Sequence, residues 1–244
     1  MYGLIGNPLG HSFSADFFNE KFKKEEINES YKLFPLENIE LLPSLLEKYP
    51  HLKGLNVTIP YKREVLQYLD SLSDAVKEIG AVNVIKIIRS QHTVKLIGYN
   101  SDAVGFRKTI EPLLKPYMTK ALVLGTGGAS KAVIYVLKSL GLEVISVSRE
   151  RTESSISYSD LSPELLTSCF VIVNTTPLGM WPKVDEAPDL PYSALTKKHL
   201  LYDLVYNPQI TEFMKKGALR GATVKNGLDM LHEQAIEAWR IWNQ

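Results

Sequence analysis

The sequence predicts an α/β fold in two domains, and three observations predict it. Short apolar runs alternate with longer stretches of helical periodicity almost throughout, the pattern of sheets covered by helices. Residues 120–147 read as a self-contained strand, glycine turn, helix and strand, so another domain must precede them. The chain of 244 residues, 45% hydrophobic and 23% charged, has an ordinary globular composition. That length suits one large or two small domains at roughly 100–200 residues per domain.

Tyr2 to Ile5 opens the chain as a strand, and Ser14 to Lys24 follows as a helix with Phe17, Phe18 and Phe22 on or near one face. Tyr31 to Phe34, Gly54 to Thr58, Val82 to Ile88 and Val94 to Ile97 are further strands, and the alternation reads as a parallel sheet. Asp102 to Pro116 reads as a helix linking the domains, since Phe106, Ile110 and Leu113 recur at helical spacing. Ala121 to Leu124, Glu143 to Val147, Val171 to Asn174 and Leu200 to Leu204 are the strands of the second domain. Gly227 to Trp242 is an amphipathic helix whose apolar side carries Leu228, Leu231, Ala235, Ala238, Trp239 and Trp242. Periodicity leaves open which domain it packs on.

Composition excludes several classes of function. With 28 basic and 27 acidic residues the net charge is +1, too balanced to hold nucleic acid or an anionic membrane. Cys169 is the single cysteine, so no internal disulfide forms, and its apolar neighbours Phe170 to Val173 mark a buried thiol. No run reaches the ~18 apolar residues of a membrane span, and Met1 to Gly6 lacks the basic and apolar regions of a leader, so a cytoplasmic location is expected. The five histidines form no cluster with metal-ligand spacing, and no metal is expected.

Leu122-Val123-Leu124-Gly125-Thr126-Gly127-Gly128-Ala129-Ser130 runs from a strand into a helix. Dinucleotide sites need this layout: a glycine for the tight turn, a glycine where backbone meets pyrophosphate, and free N–H groups at a helix N-terminus. Ser130 stands at the third glycine position, so the order of strand, turn, helix and strand carries the reading rather than the fingerprint alone. NAD sites usually place an acidic residue about 20 residues past the turn. Here Ser148-Arg149-Glu150-Arg151 offers two guanidiniums suited to a 2′-phosphate, which favours NADP(H). Glu150 can instead accept from a ribose hydroxyl or pair with an arginine.

In the first domain, polar residues stand at the ends of apolar strands. Ser12 and Ser14 close the first, Asn56, Thr58 and Lys62 follow the third, and Asn83 and Asp102 end later segments. Each has a plainer role open to it: Ser14 can cap a helix, Asn83 can fix a turn, and Lys62 can be surface charge. His11, alone in its loop, reads as structural.

Together these segments resemble the shikimate dehydrogenase family. The motifs are Gly6 to Ser14, Asn56 to Lys62, Gly80 to Asn83, Gly98 to Asp102, Gly125 to Ala132, Asn174 to Met180, and Tyr206-Asn207-Pro208 with Lys225 to Ala235. They recur in the family's order from Gly3 to Trp242. The chain departs from the family pattern at Ala15, Phe18, Ser101 and Ser148-Arg149-Glu150, and only the last touches the chemistry. The resemblance implies an N-terminal substrate-binding domain, 1–101 with the tail 227–244, and a Rossmann-like NADP-binding domain, 102–226. It implies Lys62 and Asp102 as the acid–base pair, and Ser12, Ser14, Asn56, Thr58, Asn83, Tyr206 and Gln234 at the substrate. Gly125, Thr126, Gly127, Gly128, Ala129, Ser148, Arg149, Arg151, Thr175 and Gly227 would meet the cofactor. Reversible reduction of 3-dehydroshikimate by a monomer or homodimer follows, with no other partner. A quinate or dual quinate/shikimate dehydrogenase that uses NAD shares nearly every motif. A folate-linked methylene dehydrogenase lacks the Ser-x-Ser and Asn-x-Thr pattern, and a non-catalytic sensor would be expected to have lost Lys62 or Asp102.

Overall fold

A computed structural model describes residues 1–10, 12–91 and 93–244; His11 lies outside the described residues. The chain divides into two compact units, Met1–Val104 with Gln234–Gln244, and Gly105–Glu233.

The first unit contains β1 (Tyr2–Gly6), α1 (Phe13–Lys24), β2 (Tyr31–Pro35), α2 (Leu42–Lys48), β3 (Gly54–Val57), β4 (Ser71–Leu72), α3 (Asp74–Ile79), β5 (Val84–Arg89), β6 (Val94–Tyr99) and the start of α4 (Ser101–Ile110). Its sheet runs β2-β1-β3-β5-β6-β4. β1 pairs in parallel with both β2 and β3, whereas β3–β5 and β5–β6 are antiparallel. This sheet is therefore mixed, where the alternation pattern predicted parallel pairing. The link from Arg89 to Val94 is too short for a crossover, which takes a dozen or more residues, and so closes a hairpin. Strand alternation splits the core between the two sheet faces. Ile5 joins Leu55, Val57 and Ile85 on one side, and Tyr2 and Leu4 join Phe18, Phe22, Ala238 and Trp242 on the other. The tail helix is fastened to this sheet: the Trp242 indole stacks on Tyr2 at 4.6 Å and donates to the Ile85 carbonyl at 3.0 Å.

α4 stops at Ile110 and gives way to a 3₁₀ turn, Glu111–Leu113, rather than running to Pro116. Pro112 has no N–H to continue the helical ladder. The unit division falls inside α4 and inside the tail helix, a few residues beyond the boundaries expected at 101 and 227.

The second unit contains β7 (Lys120–Leu124), α5 (Gly128–Ser139), β8 (Glu143–Ser148), β9 (Ile156–Ser157), α6 (Pro163–Ser168), β10 (Val171–Asn174), β11 (Leu200–Asp203), α7 (Glu212–Ala218), β12 (Thr223–Lys225) and the start of α8 (Leu228–Trp242). The sheet order is β12-β11-β10-β7-β8-β9, with every pair parallel. Its central strands are buried on both faces, which explains their unbroken apolar runs. The order reverses at β7, so the glycine turn opens at a topological switch point, where open α/β sheets bind ligands. Among the described residues, no helix is long and apolar enough to cross a membrane.

Candidate active site

The first unit gathers its polar residues beyond the C-terminal ends of β1 and β3. The two loops are tied by backbone bonds: Asn7 N–H donates to Ile59 and Thr58 N–H to Ile5, each at 3.0 Å. Ser12 sits at the N-terminus of α1 in extended conformation and accepts from Ala15 N–H at 3.4 Å. Ser12, then, is the helix cap, and Ser14 lies inside the first turn, free of the capping role open to it from sequence.

The reactive-looking pair is Lys62 and Asp102, with Nζ 2.6 Å from Oδ2 and side-chain exposures of 16% and 4%. Asp102 lies in the first turn of α4, where the helix dipole favours a carboxylate. Its other oxygen accepts from Asn83 Nδ2 at 2.8 Å, so both sides of the carboxylate are engaged. Asn83 is buried and keyed by its own acceptor: Oδ1 takes Ser101 N–H at 2.7 Å. Its Nδ2 faces Asp102, Ser101 Oγ at 3.0 Å and Gln234 Oε1 at 3.3 Å. An amide has two hydrogens for these three acceptors, and Gln234, the most distant, is the one most easily released to another partner. An ammonium has three donors; Asp102 takes one, which leaves Lys62 free to reach an incoming oxygen.

Asn56 joins the same group, donating to the Asn83 carbonyl at 3.3 Å while its Oδ1 accepts from the Tyr31 hydroxyl at 2.7 Å. Tyr31 is not among the residues that the sequence singles out, because a tyrosine within a strand carries no motif. Asn100 also has a role that sequence reasoning missed: it caps α4 through Ala103 N–H at 3.0 Å and holds the Ala81 carbonyl at 2.9 Å. Thr58, half-buried, turns the chain by accepting Tyr61 N–H at its carbonyl.

In the second unit, Gly125 adopts φ +106°, and a side chain there would press on Thr175 Oγ1 at 2.7 Å. Both reasons demand glycine. Thr175 itself donates both its hydroxyl and its backbone N–H to the Leu124 carbonyl, at 2.6 and 2.9 Å, which fastens the two strand ends beside the turn. Gly127 caps α5 without a side-chain hydrogen bond, no acidic residue occupies the first turn, and a side chain at Gly127 would meet nothing within 4 Å. The N–H groups of Gly128 and Ala129 thus open on space that a pyrophosphate can fill. This arrangement fits a dinucleotide. Thr126 is exposed beside it.

Past β8, Ser148 turns its hydroxyl into its own loop, bonding Ser155 Oγ at 2.7 Å and the Glu150 carbonyl. Arg149 and Arg151 are exposed, and Arg151 lies 3.8 Å from Asp160. Tyr206 and Gly227 are brought near each other, since Gly227 N–H donates to the Val205 carbonyl at 3.2 Å. Gly227 also has the Leu204 carbonyl where a Cβ would stand, so its glycine is required for packing whatever else it contacts.

Asp203 is a second residue that carries no sequence signal. It is fully buried and accepts from Asn174 Nδ2 at 2.9 Å, Val205 N–H at 3.0 Å and Thr211 Oγ1 at 2.6 Å, fastening the loops that carry Thr175 and Tyr206. Burial raises its pKa from 3.8 to about 6, although the three donors oppose the shift. The folded state thus binds this proton more tightly than the unfolded chain. Stability should fall as pH rises through the window from about 4 to about 6. Relative to Asp203→Asn, wild type is expected to lose on the order of 2–3 kcal/mol across that window, at about 1.36 kcal/mol per unit. Denaturant unfolding of both proteins at several pH values checks this, and parallel stability curves would refute it.

Among the described residues no group of three or more histidine, cysteine, aspartate or glutamate side chains is placed to hold a metal ion.

Comparison with known proteins matches residues 4–85 to the family described as the shikimate dehydrogenase substrate binding domain. Over 255 residues the chain is 40% identical to the shikimate dehydrogenase (NADP(+)) of Clostridium beijerinckii, covering 100% of this chain and 92% of that protein. Its fold is similar to the Thermus thermophilus shikimate 5-dehydrogenase in complex with NADP(H) and shikimate, with TM-score 0.85, 30% identity and coverage of 99% and 92%. The quinate dehydrogenase of Corynebacterium glutamicum in complex with NAD is similar as well, at TM-score 0.86, 27% identity and the same coverage of 99% and 92%.

Proposed function

Since the chain belongs to the shikimate dehydrogenase family, we propose that it carries out the reversible, NADP-dependent reduction of 3-dehydroshikimate to shikimate, with Lys62 and Asp102 as the acid–base pair. One observation carries this reading: Lys62, Asp102 and Asn83 form a single hydrogen-bonded group, to which Asn56 and Gln234 are joined. NADP(H), when bound, supplies the hydride in one direction and accepts it in the other. Lys62 gives a proton to the C3 oxygen as the carbonyl becomes a hydroxyl, and recovers it in reverse. Asp102 orients the ammonium and a ring hydroxyl. Asn56, Thr58, Asn83 and Gln234 hold the remaining hydroxyls, whose mixed donor and acceptor character suits amides and a threonine. Ser12 and Ser14 receive the carboxylate at the N-terminus of α1, and Tyr206 completes the substrate contacts.

The first unit is then the substrate-binding domain and the second the NADP-binding domain. Gly125 to Ala129 take the pyrophosphate, Ser148, Arg149 and Arg151 the adenosine end with its 2′-phosphate, and Thr175 and Gly227 the rest of the cofactor. We place the enzyme in the cytoplasm, as a monomer or homodimer; its one free, buried thiol suits a reducing compartment.

The direct test is NADPH consumption with 3-dehydroshikimate, with NADH run beside it and quinate oxidised beside shikimate. Turnover of the first pair at the highest kcat/KM is expected. Faster oxidation of quinate than of shikimate would overturn the substrate assignment.

The carboxylate site makes a separate prediction. Ser14→Ala should weaken shikimate binding by about 1–3 kcal/mol, the cost of removing a hydrogen bond to a charged group. Its melting temperature should move little, because Ser12 is the cap. Ser12→Ala should lower both affinity and stability, the latter by about 1 kcal/mol. Calorimetric titration paired with thermal unfolding separates the two, and unchanged affinity in Ser14→Ala would remove that residue from the site.

A further inference from the structure

We propose that Tyr31 is a positioning residue for substrate binding, whose hydroxyl locks the Asn56 amide in one orientation. This rests on the assignment of Asn56 to the substrate.

Tyr31 opens β2, and its ring is buried in a stack on Phe18 at 4.9 Å between centroids. Its backbone is clamped by Asn19, which accepts Tyr31 N–H at 3.0 Å and donates to the Tyr31 carbonyl at 3.1 Å. Ring and main chain are both held, so the hydroxyl has a set position. That hydroxyl meets Asn56 Oδ1 at 2.7 Å and has the Ser14 side chain as a second partner. Burial holds the phenol pKa well above 10, so the oxygen keeps its proton and donates it.

The two ends of an asparagine amide are nearly the same shape, and only hydrogen bonds distinguish them. A donor facing one end therefore fixes which end is the acceptor. With Tyr31 donating to Oδ1, Asn56 Nδ2 is turned toward the Asn83 carbonyl, and its second hydrogen is set for a ligand oxygen. Without that donor only the 3.3 Å bond to the Asn83 carbonyl orders the amide, and the flipped orientation, which presents an acceptor where a donor is needed, gains population.

The test is Tyr31→Phe, which keeps the ring and its stack while deleting the hydroxyl. Its KM for shikimate should rise about tenfold, or ~1.4 kcal/mol, in the range for one lost hydrogen bond. The kcat and the KM for NADP should stay within about twofold of wild type, because neither Lys62 nor the second unit is touched. Asn56→Ala should raise the KM as well. The double variant should be no worse than Asn56→Ala alone, since Tyr31 acts through that amide. A merely structural tyrosine would lower the melting temperature and leave the KM unchanged, and that result overturns the proposal. So do Tyr31→Phe and Asn56→Ala losses that simply multiply. If Asn56→Ala itself leaves the KM unaltered, the assignment of Asn56 to the substrate fails first and the proposal falls with it. A raised KM in Asn56→Ala with none in Tyr31→Phe removes Tyr31 alone.

Discussion

Lys62→Met is expected to cut kcat by ~10²–10⁴, the range for a lost general acid–base group, with the shikimate KM within roughly tenfold of wild type. Methionine keeps the apolar stem and loses the ammonium that stands 2.6 Å from Asp102. The substrate contacts assigned to Ser12, Ser14 and Asn83 are left in place, so binding should survive. Asp102 keeps its bond from Asn83 but loses its counter-charge while almost wholly buried, so a fall in melting temperature should accompany the lost rate. Single-turnover measurement isolates the chemical step. A kcat near wild type with a raised KM would make Lys62 a binding residue and end the acid–base assignment.

The second large effect concerns the cofactor. Wild type is expected to prefer NADPH over NADH by at least about tenfold in kcat/KM, equivalent to ~1.4 kcal/mol. Arg149→Ala should erase most of that preference by raising the KM for NADPH, leaving the NADH constants nearly unchanged. The two arginines are not equivalent in the structure. Arg151 lies 3.8 Å from the Asp160 carboxylate, which already offsets part of its charge. Arg149 follows directly on Ser148 at the end of β8 and is exposed, so the larger share should rest on it. A charge-assisted contact contributes about 1.5–3 kcal/mol. At an exposed site this contribution should shrink as salt is raised, which is a second check. Equal losses with both cofactors would remove Arg149 from the 2′-phosphate site and favour the NAD-dependent alternative.

What is legible in the sequence is what depends on neighbours along the chain. The runs Ala121 to Leu124 and Val171 to Asn174 announce buried parallel strands because burial on both faces leaves no polar alternation. The glycine turn is legible because Gly125 and Gly127 answer local demands, a positive φ and an open face before a helix. The antiparallel part of the first sheet departs from the expected parallel pairing, although the brief gap between Arg89 and Val94 is its signal. The short strands β4, β9 and β12 escape sequence reading because two or three residues carry no period.

The sequence by itself determined the α/β class, both glycine-turn strands and helix, the charge balance, and the residue types available for a proton transfer. Only the tertiary structure decided which of those residues meet. Lys62 and Asp102 are separated by 40 residues, and Asn83 and Gln234 by 151, and pairings across such separations leave no periodic trace. Tyr31 and Asp203 illustrate the same limit. Each is a polar group at one end of an apolar strand, and its role lies in partners that arrive from other elements: Asn56 and Ser14 for one, Asn174 and Thr211 for the other. The physical reason is that a buried polar atom must find a hydrogen bond wherever folding leaves it. Local propensity selects the element, whereas the satisfaction of buried polar groups is settled between elements, when the sheets form and their faces are covered.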